Sequence, residues 1–176
     1  TEQSKAGNGF LADVCKAWES ASAAAKDSGT RVVHLRIGVV LSKDGGALQK
    51  MLLPFMLGLG GRLGDGSQFF PWISLSDVVA SIQHCLDTEA LSGPVNICVP
   101  QAVSNLEFTK TLGRVLKRPT ILPVPAFLLR LLLGKMADEM LLASVNVKPK
   151  ALEDSGYSFI HTSLETALRD VLDRAL

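Results

Sequence analysis

The run from Thr30 to Leu41, which contains RVVHLRIGVVL, is nearly unbroken in apolar residues and rich in β-branched ones. That pattern predicts a strand covered on both faces, as in a parallel sheet. A glycine turn follows at Gly45-Gly46, then the helical pattern ALQKMLLPFML, in which Pro54 should kink or end the helix. GLGGRLGDGSQFF holds too many glycines for a regular element and reads as a loop. Pro71-Trp72-Ile73 is expected to open the next helix, SLSDVVASIQHCLD, with Ser74 and Asp77 marking its N-terminus. Gly93-Pro94 then starts a short strand, VNICV. This order of elements is that of an α/β fold, in which clefts open where strands end and helices begin.

The flanking segments read as mostly helical. Asn8 to Lys26 places Phe10, Leu11, Val14 and Trp18 near helical spacing, with Ser28-Gly29 as a stop. Ser104 with Glu107, and Thr162 with Glu165, fit the capping box, opening EFTKTLGRVLK and LETALRDVLDRA. Between them lie Pro123 and Pro125, the apolar helix Ala126 to Leu133, and a short helix from Pro149 to Asp154 with Gly156 as its stop. Tyr157 to Phe159 should form an edge strand or an extended segment. We divide the chain at residue 100: 1–100 carries the sheet and the glycine loop, 101–176 a helical subdomain.

Charge and cysteine usage narrow the function. A net charge of +1 gives no electrostatic footprint for nucleic acid. Three cysteines, Cys15, Cys85 and Cys98, lie far apart in apolar segments, which points to reduced, buried thiols in a reducing compartment: the cytoplasm, or an organelle stroma or matrix. His34, His84 and His161 show no ligand pairing, so structural roles and no metal site are expected. Ala126 to Leu133 is far shorter than the roughly 20 apolar residues of a transmembrane helix, and a buried helix is the expectation. With no initiator Met and no signal-peptide pattern, the chain reads as a fragment or a processed product.

The clustered glycines Gly58, Gly60, Gly61, Gly64 and Gly66 match neither the G-x-G-x-x-G spacing nor its strand-to-helix placement, so they do not read as a dinucleotide fingerprint. They suit a wall in close contact with a ligand. Phe69 reads as packing, and Trp72 equally as packing or as ligand contact. Gly45-Gly46, with Lys50 one turn in, is either an anion site at a helix N-terminus or a plain turn. Asp77 fits a first-turn structural role and Asp13 a solvated helix face.

Leu35-Arg36 in a strand, Trp72-Ile73 followed by Asp77, and Val95-Asn96-Ile97 occur in the order and spacing of the extended short-chain dehydrogenase/reductases. The chain resembles their atypical epimerase-like family, which is linked both to nucleotide-sugar epimerases and to cell-division inhibitors. The resemblance covers essentially the whole chain, with a C-terminal extension from about Pro125. It implies an α/β fold: the carboxy-terminal portion of a Rossmann-like parallel sheet plus a mostly helical substrate-side subdomain. It further implies NADP in the intact protein, bound weakly or not at all by this chain, because the phosphate-holding amino-terminal half lies upstream in that family. Gly38, Val40, Leu41 and Ser42 would border the nicotinamide, and Gly45, Gly46, Lys50, Gln68, Phe70 and Trp72 would line a substrate pocket.

The catalytic residues are not identifiable, because the family's Tyr-x-x-x-Lys pair is absent. If Glu19 follows that motif, Leu11 and Cys15 stand at the Tyr and Lys positions. Two functions are therefore expected as alternatives: an NADP-dependent epimerase or oxidoreductase portion acting on a nucleotide sugar or similar small molecule, or a non-catalytic ligand sensor or partner-binding protein linked to cell or plastid division. Strand edges left open by the absent half make self-association a further expectation.

Overall fold

The computed structural model describes residues 1–173; the last residues of the expected C-terminal helix, Arg174 and Ala175, lie outside them. The expected first helix is two: α1 (Phe10–Ala21) and α2 (Ala23–Asp27). They meet at Ser22, whose hydroxyl donates to the Glu19 carbonyl and bonds His34 Nε2 at 2.7 Å.

The long apolar run is also divided, into β1 (Val33–Ile37) and β2 (Val39–Leu41). The break at Gly38 has a steric cause. β1 pairs in parallel with β5 (Gly93–Ile97), from Val33 opposite Gly93 to Ile37 opposite Ile97. β2 pairs in parallel with β4 (Trp72–Ser74), from Val39 opposite Trp72 to Leu41 opposite Ser74. The chain changes partner at this point: Gly38 N–H donates to Ile97 and Val39 N–H to Pro71. A Cβ at Gly38 would stand 2.8 Å from the Pro71 carbonyl oxygen and 3.3 Å from Cys98 Cβ, so a side chain is excluded by close approach. β1 departs from the expectation of a strand covered on both faces, since Arg36 and Ile37 are exposed. Its partner β5 is the better covered, with Val95 and Ile97 fully buried.

α3 (Gly46–Met56) follows the glycine pair, with Pro54 in its last turn. The glycine loop leads to β3 (Phe69–Phe70), antiparallel to β6 (Val103–Ser104). Trp72 and Ile73 do not open a helix; they form β4, because their amides and carbonyls complete the ladder with β2. α4 (Leu75–Asp87) begins directly after it, capped as expected by Ser74, which accepts from Asp77 N–H at 3.0 Å. Its C-terminal end is closed by Arg31, whose guanidinium donates to the carbonyls of Cys85, Leu86 and Leu91.

α5 (Asn105–Leu116) is capped by Ser104 as expected, and ends on Lys117 in the left-handed conformation. α6 (Ala126–Leu133) runs into a π-helical turn, Ala137–Leu141. α6 is not wholly buried as expected: Leu129 is covered, but Phe127 and Leu131 are exposed. α7 (Lys150–Asp154) stops at Gly156, where Tyr157 N–H reaches the Leu152 carbonyl and Gly156 N–H that of Glu153. α8 (Leu164–Asp173) starts from Ser163, whose carbonyl accepts from Ala167, and not from a Thr162 box; Glu165 is taken up by Arg114 and Arg169.

Two core clusters hold these elements. One joins Leu41, Leu48 and Trp72 to Phe108 and Leu112 of α5 and Leu168 of α8; the other packs Ile73, Val78 and Val95 around Leu152. At about 25 cal/mol per Å² of buried apolar surface, such clusters supply the main stabilisation. Among the described residues, no helix is long and apolar enough to cross a membrane.

Candidate functional site

Where β1 gives way to β2, a cavity of about 960 Å³ opens beside the strand switch. Gly38 and Val39 form its floor, and Gln68, Phe69, Phe70 and Pro71 one side. α1 supplies Cys15, Trp18 and Glu19, the end of the π turn supplies Leu141, and the segment after it Ala143 and Val145. Each wall has a local reason for its position. Gln68 is buried and its amide donates to the carbonyls of Leu63 and Leu141, tying the glycine loop to the π turn. Asn105 Oδ1 accepts from Leu63 N–H at 2.8 Å, fixing the loop to the start of α5. Phe70 packs its ring 4.5 Å from Phe108. Gly61 lies so close to the Leu122 carbonyl that no side chain fits there, which explains one of the clustered glycines sterically.

Electrostatically the site is dominated by one ion pair. Arg36 grips Glu19 in two parallel bonds of 2.7 and 2.8 Å, and the guanidinium holds the Glu19 carboxyl below the usual carboxylate range. Cys98, on the same wall, is pushed up to about 12 by burial and is an inert thiol. Cys15 is exposed, which corrects the expectation that all three thiols are buried; it stands on α1, none of whose residues is buried. Among the described residues no cluster of side chains is arranged to hold a metal ion.

Of the residues singled out from the sequence, Gly38, Gln68 and Phe70 meet on this cavity. Val40 is half-buried against the second core cluster and Leu41 is fully buried in the first. Ser42, Gly45, Gly46 and Lys50 lie at the turn into α3 and on its first turns, away from the cavity wall. Trp72 is 1% exposed in the first core cluster, its indole N–H without a partner. Neither Asp44 nor Trp72 lines the cavity.

The three histidines each bond a serine hydroxyl: His34 to Ser22, His84 to Ser155 and His161 to Ser74. The sequence showed no sign of the Arg36–Glu19 pair as a unit, nor of Asn105 and Glu139 as wall residues, since each depends on elements distant in the chain.

A family model described as a domain of unknown function (DUF1731) matches residues 124–171. An epimerase family protein of Mycobacterium bovis is 47% identical over 167 residues, covering 95% of this chain and 56% of that protein. The human epimerase family protein SDR39U1 is 38% identical over 163 residues, covering 93% of this chain and 55% of its own length. The crystal structure of human SDR39U1 (isoform 2) with NADPH superposes with a TM-score of 0.92 at 36% identity, covering 98% of this chain and 58% of that one. A nucleoside-diphosphate sugar epimerase from Corynebacterium glutamicum gives a TM-score of 0.77 at 34% identity, covering 97% of this chain and 32% of that one. The chain thus spans about half the length of the curated relatives it matches. The parallel β1–β5 and β2–β4 ladders, the helical C-terminal portion and these likenesses agree: over nearly its whole length the chain is similar to epimerase family proteins, whose Rossmann-like α/β fold it shares.

Proposed function

We propose that the chain is the substrate-binding portion of an NADP-dependent epimerase- or oxidoreductase-like protein that acts on a small molecule at a carbinol or carbonyl carbon. Nucleotide sugars are the class to which the names of related epimerases point. The observation that carries the reading is the meeting of Gly38 and Val39, at the strand switch, with Gln68 to Pro71 around one cavity. The chain's own residues fit one end of NADP. Gly38 and Val39 place the strand switch on the cavity wall, and Phe70 offers an apolar flank for a flat ring. The strand-to-helix turn at Gly45-Gly46 stands away from the cavity and lacks the G-x-G-x-x-G spacing, so the chain alone is expected to bind NADP weakly or not at all. When bound, the cofactor supplies or accepts hydride; the residues here orient the ligand and exclude water. We place the protein in a reducing compartment, the cytoplasm or an organelle stroma or matrix.

A second reading, a ligand sensor without catalysis, is favoured by the state of the one tyrosine. The Tyr157 hydroxyl lies 3.2 Å from both the backbone carbonyl and the carboxylate of Asp77, and burial raises its pKa, away from acid–base work at neutral pH. NADPH oxidation by the full-length protein, over a panel of nucleotide sugars and simpler carbonyl compounds, tests the two. Turnover that falls on Phe70→Ala supports the enzyme. NADPH binding without turnover of any compound supports the sensor.

A further inference from the structure

We infer that the ligand of this cavity carries no phosphate and is an uncharged, largely apolar carbonyl or carbinol compound. This rests on the reading that the cavity takes the substrate. A nucleoside diphosphate brings two negative phosphates, which proteins meet with free guanidinium or ammonium groups or with a bare helix N-terminus. The wall here offers the opposite. Its guanidinium, Arg36, gives its Nε–H and one Nη2–H to Glu19. A phosphate at the remaining edge of the guanidinium would have to share that cation with the carboxylate and would meet its repulsion.

A further carboxylate, Glu139, stands on the wall from the π turn. With the Arg36–Glu19 pair neutral as a unit, the lining carries a net negative charge, which disfavours an anionic ligand inside a concave site. The imidazole of His34 is bonded to Ser22. Part of the neutral polar lining is engaged: the Gln68 amide nitrogen serves two backbone carbonyls, Asn105 Oδ1 accepts from a backbone amide, and the Asn96 amide nitrogen donates to the Lys148 carbonyl. Much of the remaining wall is apolar: Phe69, Phe70, Leu141, Ala143 and Val145. The N-terminus of α3, where an anion site is conceivable beside Lys50, does not form part of this wall. Hydrophobic enclosure with few free polar groups selects a compact apolar molecule with one oxygen function.

The test is calorimetric titration of the full-length protein, with and without NADPH, by two probes: UDP-glucose and 2-decalone. Expected are binding of 2-decalone at least about tenfold tighter than UDP-glucose, and a gain of about tenfold or more for UDP-glucose in Glu139→Lys, with 2-decalone unchanged within about twofold. Glu139 is exposed, so its replacement leaves the fold intact. Glu139→Gln should give a smaller gain in the same direction. Tighter binding of UDP-glucose by the unaltered protein, or no response to either Glu139 variant, overturns the inference and leaves the substrate cavity standing. Failure of both probes to bind overturns the cavity as a ligand site, and the inference with it.

Discussion

Removing the Asp77 carboxylate should detach the C-terminal part of the chain from the sheet. Asp77 is fully buried, and its two oxygens serve four donors. Oδ1 accepts from Ile160 N–H at 2.7 Å and Tyr157 O–H at 3.2 Å; Oδ2 accepts from Ser74 O–H at 2.7 Å and His161 N–H at 3.1 Å. Asp77→Ala leaves two backbone amides and two hydroxyls in a site that the replacement cannot satisfy. A buried donor left without a partner costs about 1–3 kcal/mol, but several can turn to other acceptors, so the expected loss is about 3–5 kcal/mol. Asp77→Asn keeps the shape and one acceptor but points its amide N–H2 at two donors, and about 2 kcal/mol is expected. Equilibrium urea unfolding gives both values. Hydrogen exchange locates the effect: the Ile160 and His161 amides should lose protection before β1 and β5. A loss below about 1 kcal/mol in Asp77→Ala, or protection at those two amides equal to that of the parent, would refute the view that this carboxylate anchors residues 157–161.

Other consequences can be measured separately. Lys117, at φ 54°, is among the described residues the non-glycine one that the backbone holds in the left-handed region; Lys117→Gly should stabilise the chain by about 0.5 kcal/mol, since the relief of strain is partly offset by the entropy of glycine in the unfolded chain, and a lower urea midpoint would count against it. Of the three thiols, Cys15 should react rapidly with a disulfide reagent at pH 8 in the folded protein, whereas Cys85 and Cys98, both raised by burial, should react only on unfolding; fast labelling of two or more contradicts the packing around β5. The Glu19–Arg36 pair contributes fully above the ordinary carboxyl value of 4.5 and is lost as pH falls through the depressed value of Glu19 in the folded chain. Side chains 30% and 39% exposed limit it to under about 1 kcal/mol, so the gap in urea midpoint between the parent and Glu19→Gln should be steady at neutral pH and close on acidification; a gap that widens there would tell against the pair.

Local chemistry explains what could be read before the fold was known. Ser74 and Ser104 cap their helices because a hydroxyl three residues before a free amide can accept from it, and that spacing is written in the sequence. Gly156 closes α7 for the same reason of proximity: the two amides it frees turn back on carbonyls within the same turn. Thr162 shows the limit of such spacing. Its spacing matches that at Ser104, but α8 begins at Leu164, one residue later than that box places it, and Glu165 pairs with Arg114 of α5 and Arg169 one turn on. The short strand β4 was hidden for a related reason. Three residues ahead of a capping serine look like a helix entry unless a second strand is known to lie alongside, and only the turn of the chain at Gly38 brings β2 there.

The same argument separates the two roles of Asp77. Its position in the first turn of α4 predicts a favourable encounter with the helix dipole, and that much is local. Its second role, as acceptor for residues more than 80 positions away, arises only because α7 packs against β5 and delivers Tyr157 to His161 to the start of α4. The cavity is of this second kind throughout. The family resemblance marks Gly38, Gln68 and Phe70, yet the charged residues Glu19 from α1 and Glu139 from the π turn come from segments whose sequences look like ordinary solvated helix. A charge that decides which ligand enters can thus sit on the least distinctive part of a chain, because its effect depends on what stands opposite it and not on its neighbours in sequence.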